Sequence, residues 1–155
     1  MTGKSKKQKR VVGDIVRTDL GDEFHTYGRV LDEAMFAFYD CRVKDELPID
    51  QIISCPILFY IPVMAYAVTR GYWKVVGHAP LDDVLKNPPP RFMQDALRPE
   101  VFSIYEKGKI RPATKEECSG LEREAGWSPE HVEDRLRDHY AGRKNKWVES
   151  LKMKI

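Results

Sequence analysis

Cysteine is scarce in this sequence: its 155 residues include three, Cys41, Cys55 and Cys118. The number is odd, and no C-x-x-C spacing occurs. A disulfide framework needs paired cysteines and a zinc ribbon needs C-x-x-C pairs, so neither kind of small domain is indicated. The composition instead predicts reduced thiols and a cytoplasmic location.

Long hydrophobic runs are also missing. The longest, residues 55–68, has 14 residues and contains Pro56 and Pro62. It is shorter than the ~20 residues that a membrane-spanning helix needs, and two prolines interrupt a helix. The lysine-rich start is not followed by the apolar segment of a secretion signal. We therefore expect no membrane association, and we interpret the run as a buried strand that is bent or at a sheet edge near Pro62.

The net charge is only +2, but the charges are unevenly distributed. Residues 1–10 contain five cations and no acid, and residues 140–155 contain five cations and one acid. The intervening residues 11–139 therefore have 16 cations against 23 anions. Because nucleic acid attracts cationic surfaces, binding to it would depend on the two tails. We expect a basic protein partner rather than nucleic acid; a small nucleic-acid-binding module that uses its basic tails is the alternative.

Apolar alternation predicts strands in the first third of the chain. Residues 12–20 and 24–31 flank a Gly-Asp turn and form a predicted hairpin, which residues 35–41 extend as a third strand. Such a meander builds a small barrel-like or strongly bent sheet. No repeat or long linker divides the chain, so we expect a disordered basic tail at 1–10 and a single globular domain at 11–155.

Shorter signals follow along the chain. Pro48 before Ile49 and Ile52 predicts one or two helical turns. Glycine and proline breaks separate three further elements. These are a strand at 72–76, a short helix at 80–85, and a hairpin of strands 101–105 and 109–112 around a three-residue loop.

Two helices are predicted near the end of the chain. A T-x-x-E capping box at 114–117 predicts a helix at 115–125. Ser128 as N-cap and Pro129 at the first helical position predict another, which ends near Gly142. The predicted fold class is therefore α+β: mostly antiparallel β, with two C-terminal helices and short helical turns.

Fragments of catalytic and binding motifs occur, but each lacks its partners. Residues 3–5 (G-K-S) resemble the end of a phosphate-binding loop that has no preceding strand. His131 and Glu133 give H-x-E without the P-C-x-x-C of a zinc deaminase. Cys118 shares a helical stripe with apolar residues and is interpreted as a core thiol. Residues 143–151 mix cations with apolar side chains and are interpreted as a tail packed on the body. The sequence predicts no enzyme, catalytic residue, cofactor or metal site.

A series of short sequence motifs, here called words, spans most of the chain. The words are V-G-D-I-V at 12–16, Y-G-R-V-L at 27–31, C-P-I-L-F at 55–59, W-K-V-V-G at 73–77, P-R-F-M-Q-D at 90–95, A-T-K-E-E-C-S-G-L-E at 113–122 and H-V-E-D-R-L-R-D-H-Y-A-G-R-K-N-K-W-V at 131–148. In these short sequence motifs the chain resembles the immunity protein 26 family of bacterial polymorphic toxin systems. The resemblance implies a small, non-catalytic intracellular protein, encoded beside a toxin, that binds its cognate toxin domain and neutralises it by occlusion.

The last predicted helix offers a candidate partner surface. If Val132, Leu136 and Tyr140 are buried, the other faces of this helix carry five charged residues, four of them acidic. These are Glu130, Glu133, Asp134, Arg137 and Asp138. Asp138 lies toward the negative end of the helix dipole, where an acid gains no stability, so it suggests a use outside the helix. We predict that this face binds the partner; a solvated face is the alternative.

Overall fold

The computed structural model describes residues 6–154, so the G-K-S fragment lies outside the described residues. The described part has eight strands and six helices. The strands are β1 (Asp14–Asp19), β2 (His25–Val30), β3 (Met35–Tyr39), β4 (Ile57–Pro62), β5 (Lys74–His78), β6 (Arg91–Gln94), β7 (Phe102–Glu106) and β8 (Lys109–Ala113). The helices are α1 (Ile49–Ile52), α2 (Tyr66–Thr69), α3 (Asp83–Lys86), α4 (Lys115–Cys118), α5 (Pro129–Ala141) and α6 (Lys146–Ser150). Within residues 6–154, no helix is long and apolar enough to cross a membrane.

Five antiparallel strands form the larger sheet, in the order β4-β3-β2-β1-β5. The predicted meander of β1, β2 and β3 is confirmed, and so is the predicted edge position of the apolar run, because β4 is an edge strand that ends at Pro62. The strand order has two open ends, so the sheet is not closed into a barrel. The α+β fold class, mostly antiparallel β, is confirmed.

Both faces of the larger sheet are buried. On one face, Phe38 and Trp73 pack with Val132 and Leu136 of α5. On the other face, two further clusters lie beneath α1 and α3. Gly28 of β2 leaves room for an aromatic ring: a Cβ there would lie 2.9 Å from Cε1 of Phe38. A larger residue would force this core apart, because protein interiors are close-packed.

The smaller sheet has three antiparallel strands in the order β6-β7-β8. The predicted late hairpin is confirmed, but its loop has two residues rather than three, since Glu106 pairs with Lys109. Lys107 and Gly108 both have positive φ, 52° and 79°. This conformation matches the right-handed twist of the flanking strands and makes a two-residue loop favourable. Strand β8 is an edge strand in which Pro112 lies opposite Ser103.

The helix predicted at 115–125 is shorter than expected. Its capping box is present, but α4 ends at Cys118 and Ser119 is extended, with φ −61° and ψ 131°. The chain then runs beside β6. The N–H of Phe92 donates to the Glu122 carbonyl at 2.9 Å, and the N–H of Glu124 donates to the Phe92 carbonyl at 2.8 Å. These tertiary hydrogen bonds outweigh the weak local preference for a helix.

The two ends of the described chain contact the body. The Gln8 side chain donates to the carbonyls of Val68 and Trp73 at 3.0 and 2.8 Å. The Arg10 guanidinium donates to the Met35 carbonyl at 3.0 Å. At the other end, Trp147, with Val148 and Leu151, packs against the main core, as predicted for this tail.

Candidate functional site

Helix α5 is fixed at both ends by its local sequence. The Ser128 hydroxyl accepts a hydrogen bond from the N–H of His131 at 3.3 Å, and Pro129 occupies the first turn. Gly142 ends the helix with a positive φ of 69°, which glycine adopts without a steric cost. Val132 and Leu136 are fully buried, as predicted. The helix is therefore held rigidly on the sheet.

The first two predicted partner residues lie in different environments. Glu130 is exposed in the first turn. Glu133 is half-buried, and its carboxylate accepts a hydrogen bond from the indole N–H of Trp73 at 2.9 Å. Trp73 is fully buried, so its N–H requires this acceptor. Glu133 thus points toward the core and not away from it as the helix geometry predicted, and burial raises its pKa.

The other three predicted residues connect α5 to its surroundings. Asp134 accepts hydrogen bonds from Arg137 at 2.8 Å and from the Trp147 indole at 3.1 Å. Arg137 also donates to the Leu20 carbonyl at 3.2 Å. Asp138 accepts from Arg143 at 3.0 Å and from Asn145 at 3.0 Å. The two aspartates therefore bind the segment that contains α6, which explains an acid near the negative end of the helix dipole.

Acidic side chains from three separate segments surround the end of β1. The charges of Glu130 and Asp19 add to the effect of burial in raising the pKa of Glu133. The Asp19 carboxylate lies 2.9 Å from Nε of Arg17, and Nη1 of the same arginine lies 3.8 Å from the Glu46 carboxylate. We call this surface the acidic band. Its members are Asp19, Asp45, Glu46, Glu130 and Glu133.

A buried histidine lies beneath the acidic band. His25 is fully buried, and its Nε2 lies 2.8 Å from the hydroxyl of Tyr27. That hydroxyl also accepts a hydrogen bond from the N–H of Leu47 at 3.1 Å, which fixes the segment that carries Glu46. Burial and then the charge of Arg17 lower the pKa of His25, against the opposing charges of Asp19, Glu46 and Asp45. Burial therefore favours the neutral form of this histidine.

Sequence reasoning missed three members of the acidic band. Asp19 ends β1, whereas Asp45 and Glu46 precede α1, and neither segment is near α5 in the sequence. No periodicity links them, because the sheet alone brings them together. The sequence gives one local sign of an acidic surface: residues 45–50 contain three acids and no cation.

A cleft of about 340 Å³ lies elsewhere, between β6 and the C-terminal segment. Its walls are largely apolar and include Phe92, Leu121, Trp127 and Leu151. It shares no residue with the acidic band.

The residues of the motif fragments have structural contacts. Cys118 is fully buried with Phe92 and Phe102, which confirms the core-thiol interpretation. Burial raises its pKa, the opposite of what a thiolate nucleophile needs. The ring of His131 stacks on Trp147 with centroids 3.5 Å apart. Among residues 6–154, no three His, Cys, Asp or Glu side chains group in a way that could hold a metal ion.

Comparison with known proteins supplies one match. The family model described as Immunity protein 26 matches residues 11–103, more than half of the chain. The matched part contains the whole five-stranded sheet, with Asp19, Asp45 and Glu46, and it ends before α5. Comparison with curated proteins and with solved structures gives no match.

Proposed function

The chain belongs to the immunity protein 26 family, and on this premise we propose that it binds a cognate toxin domain and neutralises it by occlusion. The family match is the observation that carries the proposal. Neutralisation by occlusion needs no catalytic group: a stable complex covers the toxin surface that would otherwise reach its target. The protein acts in this way in the cytoplasm of the cell that makes the toxin.

The acidic band supports a toxin domain with a basic surface. Asp19 and Glu46 are exposed, with 66% and 79% of their side chains accessible, and Glu130 is exposed in the first turn of α5. Opposite charges on two proteins accelerate association and disfavour wrong partners. We propose that the toxin first meets this band and then contacts the rest of α5.

The predicted partner face of α5 contributes in two ways. We propose that Glu130, which is exposed, contacts the toxin directly. Glu133, Asp134, Arg137 and Asp138 are partly accessible. Glu133 also holds α5 to Trp73, the two aspartates hold it to the α6 segment, and Arg137 holds it to the Leu20 carbonyl. This firm support preorganises the surface, and a surface already in its bound shape loses less entropy on association.

Co-expression tests the proposal directly. The toxin domain encoded beside this gene is expressed with and without the protein in a sensitive host. We expect growth only in the presence of the protein, together with a one-to-one complex in size-exclusion chromatography. Growth arrest in both strains, with no complex recovered, would overturn the proposed function.

Charge reversal tests the surface. The variant Glu46→Lys, Glu130→Lys should slow association with the toxin domain about tenfold or more at low salt, because electrostatic steering is lost. The matched control is Glu100→Lys, Glu116→Lys, which makes the same charge change at two exposed positions outside the band. Equal association rates for the two variants in stopped-flow fluorescence would place the interface elsewhere.

A further inference from the structure

Two of the three cysteines lie just beyond the paired ends of the neighbouring strands β3 and β4. In the pairing of β3 with β4, Tyr39 lies opposite Ile57. One residue further, the N–H of Asp40 donates to the carbonyl of Pro56 at 2.8 Å. The same register continued by one more residue places Cys41 opposite Cys55. Fourteen sequence positions separate these cysteines, and the end of the sheet brings them together.

The backbone at this position suits a cross-link. In antiparallel pairs, hydrogen-bonded and non-hydrogen-bonded positions alternate, so the pair after Asp40 and Pro56 is non-hydrogen-bonded. The amides agree: the N–H of Cys41 donates to the Tyr140 hydroxyl at 3.0 Å, and that of Cys55 donates to the Ile52 carbonyl at 3.1 Å. Cα atoms at such positions are about 4.5 Å apart, within the range of about 4.4–6.8 Å that a disulfide spans.

The two thiols share one environment but differ in access. Cys41 is buried, and the half-buried Cys55 packs against the same cluster. Burial, followed by a hydrogen bond to the Cys55 thiol, raises the pKa of Cys41 to about 12. The Cys55 thiol in turn lies 3.4 Å from the Gln51 carbonyl, to which it donates. A reagent in solution therefore reaches the half-buried Cys55 thiol before the buried Cys41 thiol.

We propose that Cys41 and Cys55 form a dithiol that a peroxide-class oxidant converts into an intramolecular disulfide. The Cys55 sulfur attacks one peroxide oxygen, the O–O bond breaks, and Cys55 becomes a sulfenic acid with release of water. The Cys41 thiol then attacks the Cys55 sulfur, the S–O bond breaks, and the leaving hydroxide takes the Cys41 proton to form a second water. Two thiols are oxidised, and hydrogen peroxide is reduced to two waters. A dithiol reductant restores both thiols by exchange. Toxin binding plays no part in this chemistry.

Cys118 provides a matched control within the chain. It is fully buried in a different cluster, with Phe92, Phe102 and Ile104, and its sulfur lies 3.9 Å from the Ser103 carbonyl. It shares neither strand pairing nor cluster with the other two cysteines. We expect it to remain a thiol during oxidation.

Intact mass and peptide mapping test the inference on the reduced full chain. After treatment with hydrogen peroxide, we expect a monomer lighter by two hydrogen atoms, a peptide linking Cys41 to Cys55, and recovery with dithiothreitol. Cys118→Ser should react in the same way, and Cys55→Ser should form no intramolecular disulfide. Closing a loop of this length should also raise Tm by about 5–10 °C.

Three results would overturn the inference. They are a wild-type monomer with no linked peptide, a link that includes Cys118, and oxidation of Cys55 to sulfinic acid in place of the disulfide. The intact mass and linked peptide of the wild-type chain test the inference even if a serine variant fails to fold.

Discussion

The five-stranded and three-stranded sheets bury their residues in different ways. Every residue of β2 and β3 is buried, and helices cover both faces of the larger sheet. In the smaller sheet, four of the five residues of β8 are exposed, and one cluster of four buried residues forms the core. The larger sheet is therefore stabilised mainly by apolar burial. The smaller one depends more on its tight turn and on the 122–124 segment paired with β6.

The largest effect should come from an aromatic residue in the larger sheet. Phe38 is fully buried, and its ring packs against Phe59 and Trp73 with centroid distances of 5.3 and 5.5 Å. Phe38→Ala should lower the free energy of unfolding by about 4–5 kcal/mol, since it removes these contacts and leaves a cavity. Urea denaturation monitored by circular dichroism measures the loss.

The matched substitution in the smaller sheet is Phe102→Ala. It should cost less, about 3 kcal/mol, because Phe102 belongs to a smaller cluster of only four buried residues. Ile110→Ala, on the exposed strand β8, should change stability by less than about 0.5 kcal/mol. A cost at Phe102 that equals or exceeds that at Phe38 would contradict the comparison.

A second, smaller difference between the two sheets concerns the stability cost of replacing a buried arginine. The Arg29 guanidinium in the larger sheet is buried and donates to Gly13, Ala79 and Pro80 carbonyls and to the Tyr39 hydroxyl. Arg29→Met should lower the free energy of unfolding by about 3 kcal/mol, because several buried acceptors lose their donor.

Arg91 in the smaller sheet is equally buried but pairs with a partly exposed carboxylate, Glu124, at 2.7 Å. Water can replace the lost partner there, so Arg91→Met should cost only about 1 kcal/mol. The same denaturation assay measures both variants. Equal losses in the free energy of unfolding for the two variants would contradict the expectation that solvent access lowers the cost at Arg91.

The smallest expected effect is a dependence on pH that belongs to the larger sheet alone. The strands of the smaller sheet contain no histidine, whereas burial lowers the pKa of His25 in β2. As pH falls below about 6.5, His25 binds a proton in the unfolded chain but not in the folded chain. The free energy of unfolding therefore decreases with falling pH, until the pH reaches the lowered pKa of His25 in the folded chain. His25→Gln should flatten this part of the curve of unfolding free energy against pH. A slope that stays the same in His25→Gln would contradict the assignment to this histidine.

Much of the fold could be predicted from local sequence patterns. The first three strands, the late hairpin and α5 each have turn or capping residues that act within a few positions. The predictions were wrong where distant residues decide the structure. The helix predicted at 115–125 ends at Cys118, and the chain then pairs with β6. The short helix α2 begins inside the apolar run interpreted as a strand.

The candidate site could be predicted only in part, for the same physical reason. The helical period correctly places Val132 and Leu136 in the core. It cannot show that Glu133 accepts a hydrogen bond from Trp73, 60 residues away in the chain. Nor can it show that Asp19 lies near Glu133, or that Glu46 lies near Arg17, since each proximity exists only in the folded chain.

Proline at position 112 has a consequence for how copies of this protein behave at high concentration. An open strand edge offers unpaired amides that another chain can extend, which leads to aggregation. Pairing with β7 alternates along β8, so Ile110 and Pro112 direct their backbone groups outward. Pro112 has no N–H, and the flanking Lys109 and Arg111 add like charges that repel a second copy. The most exposed strand of the protein is therefore a poor template for self-association, which suits a chain that must stay available for its partner.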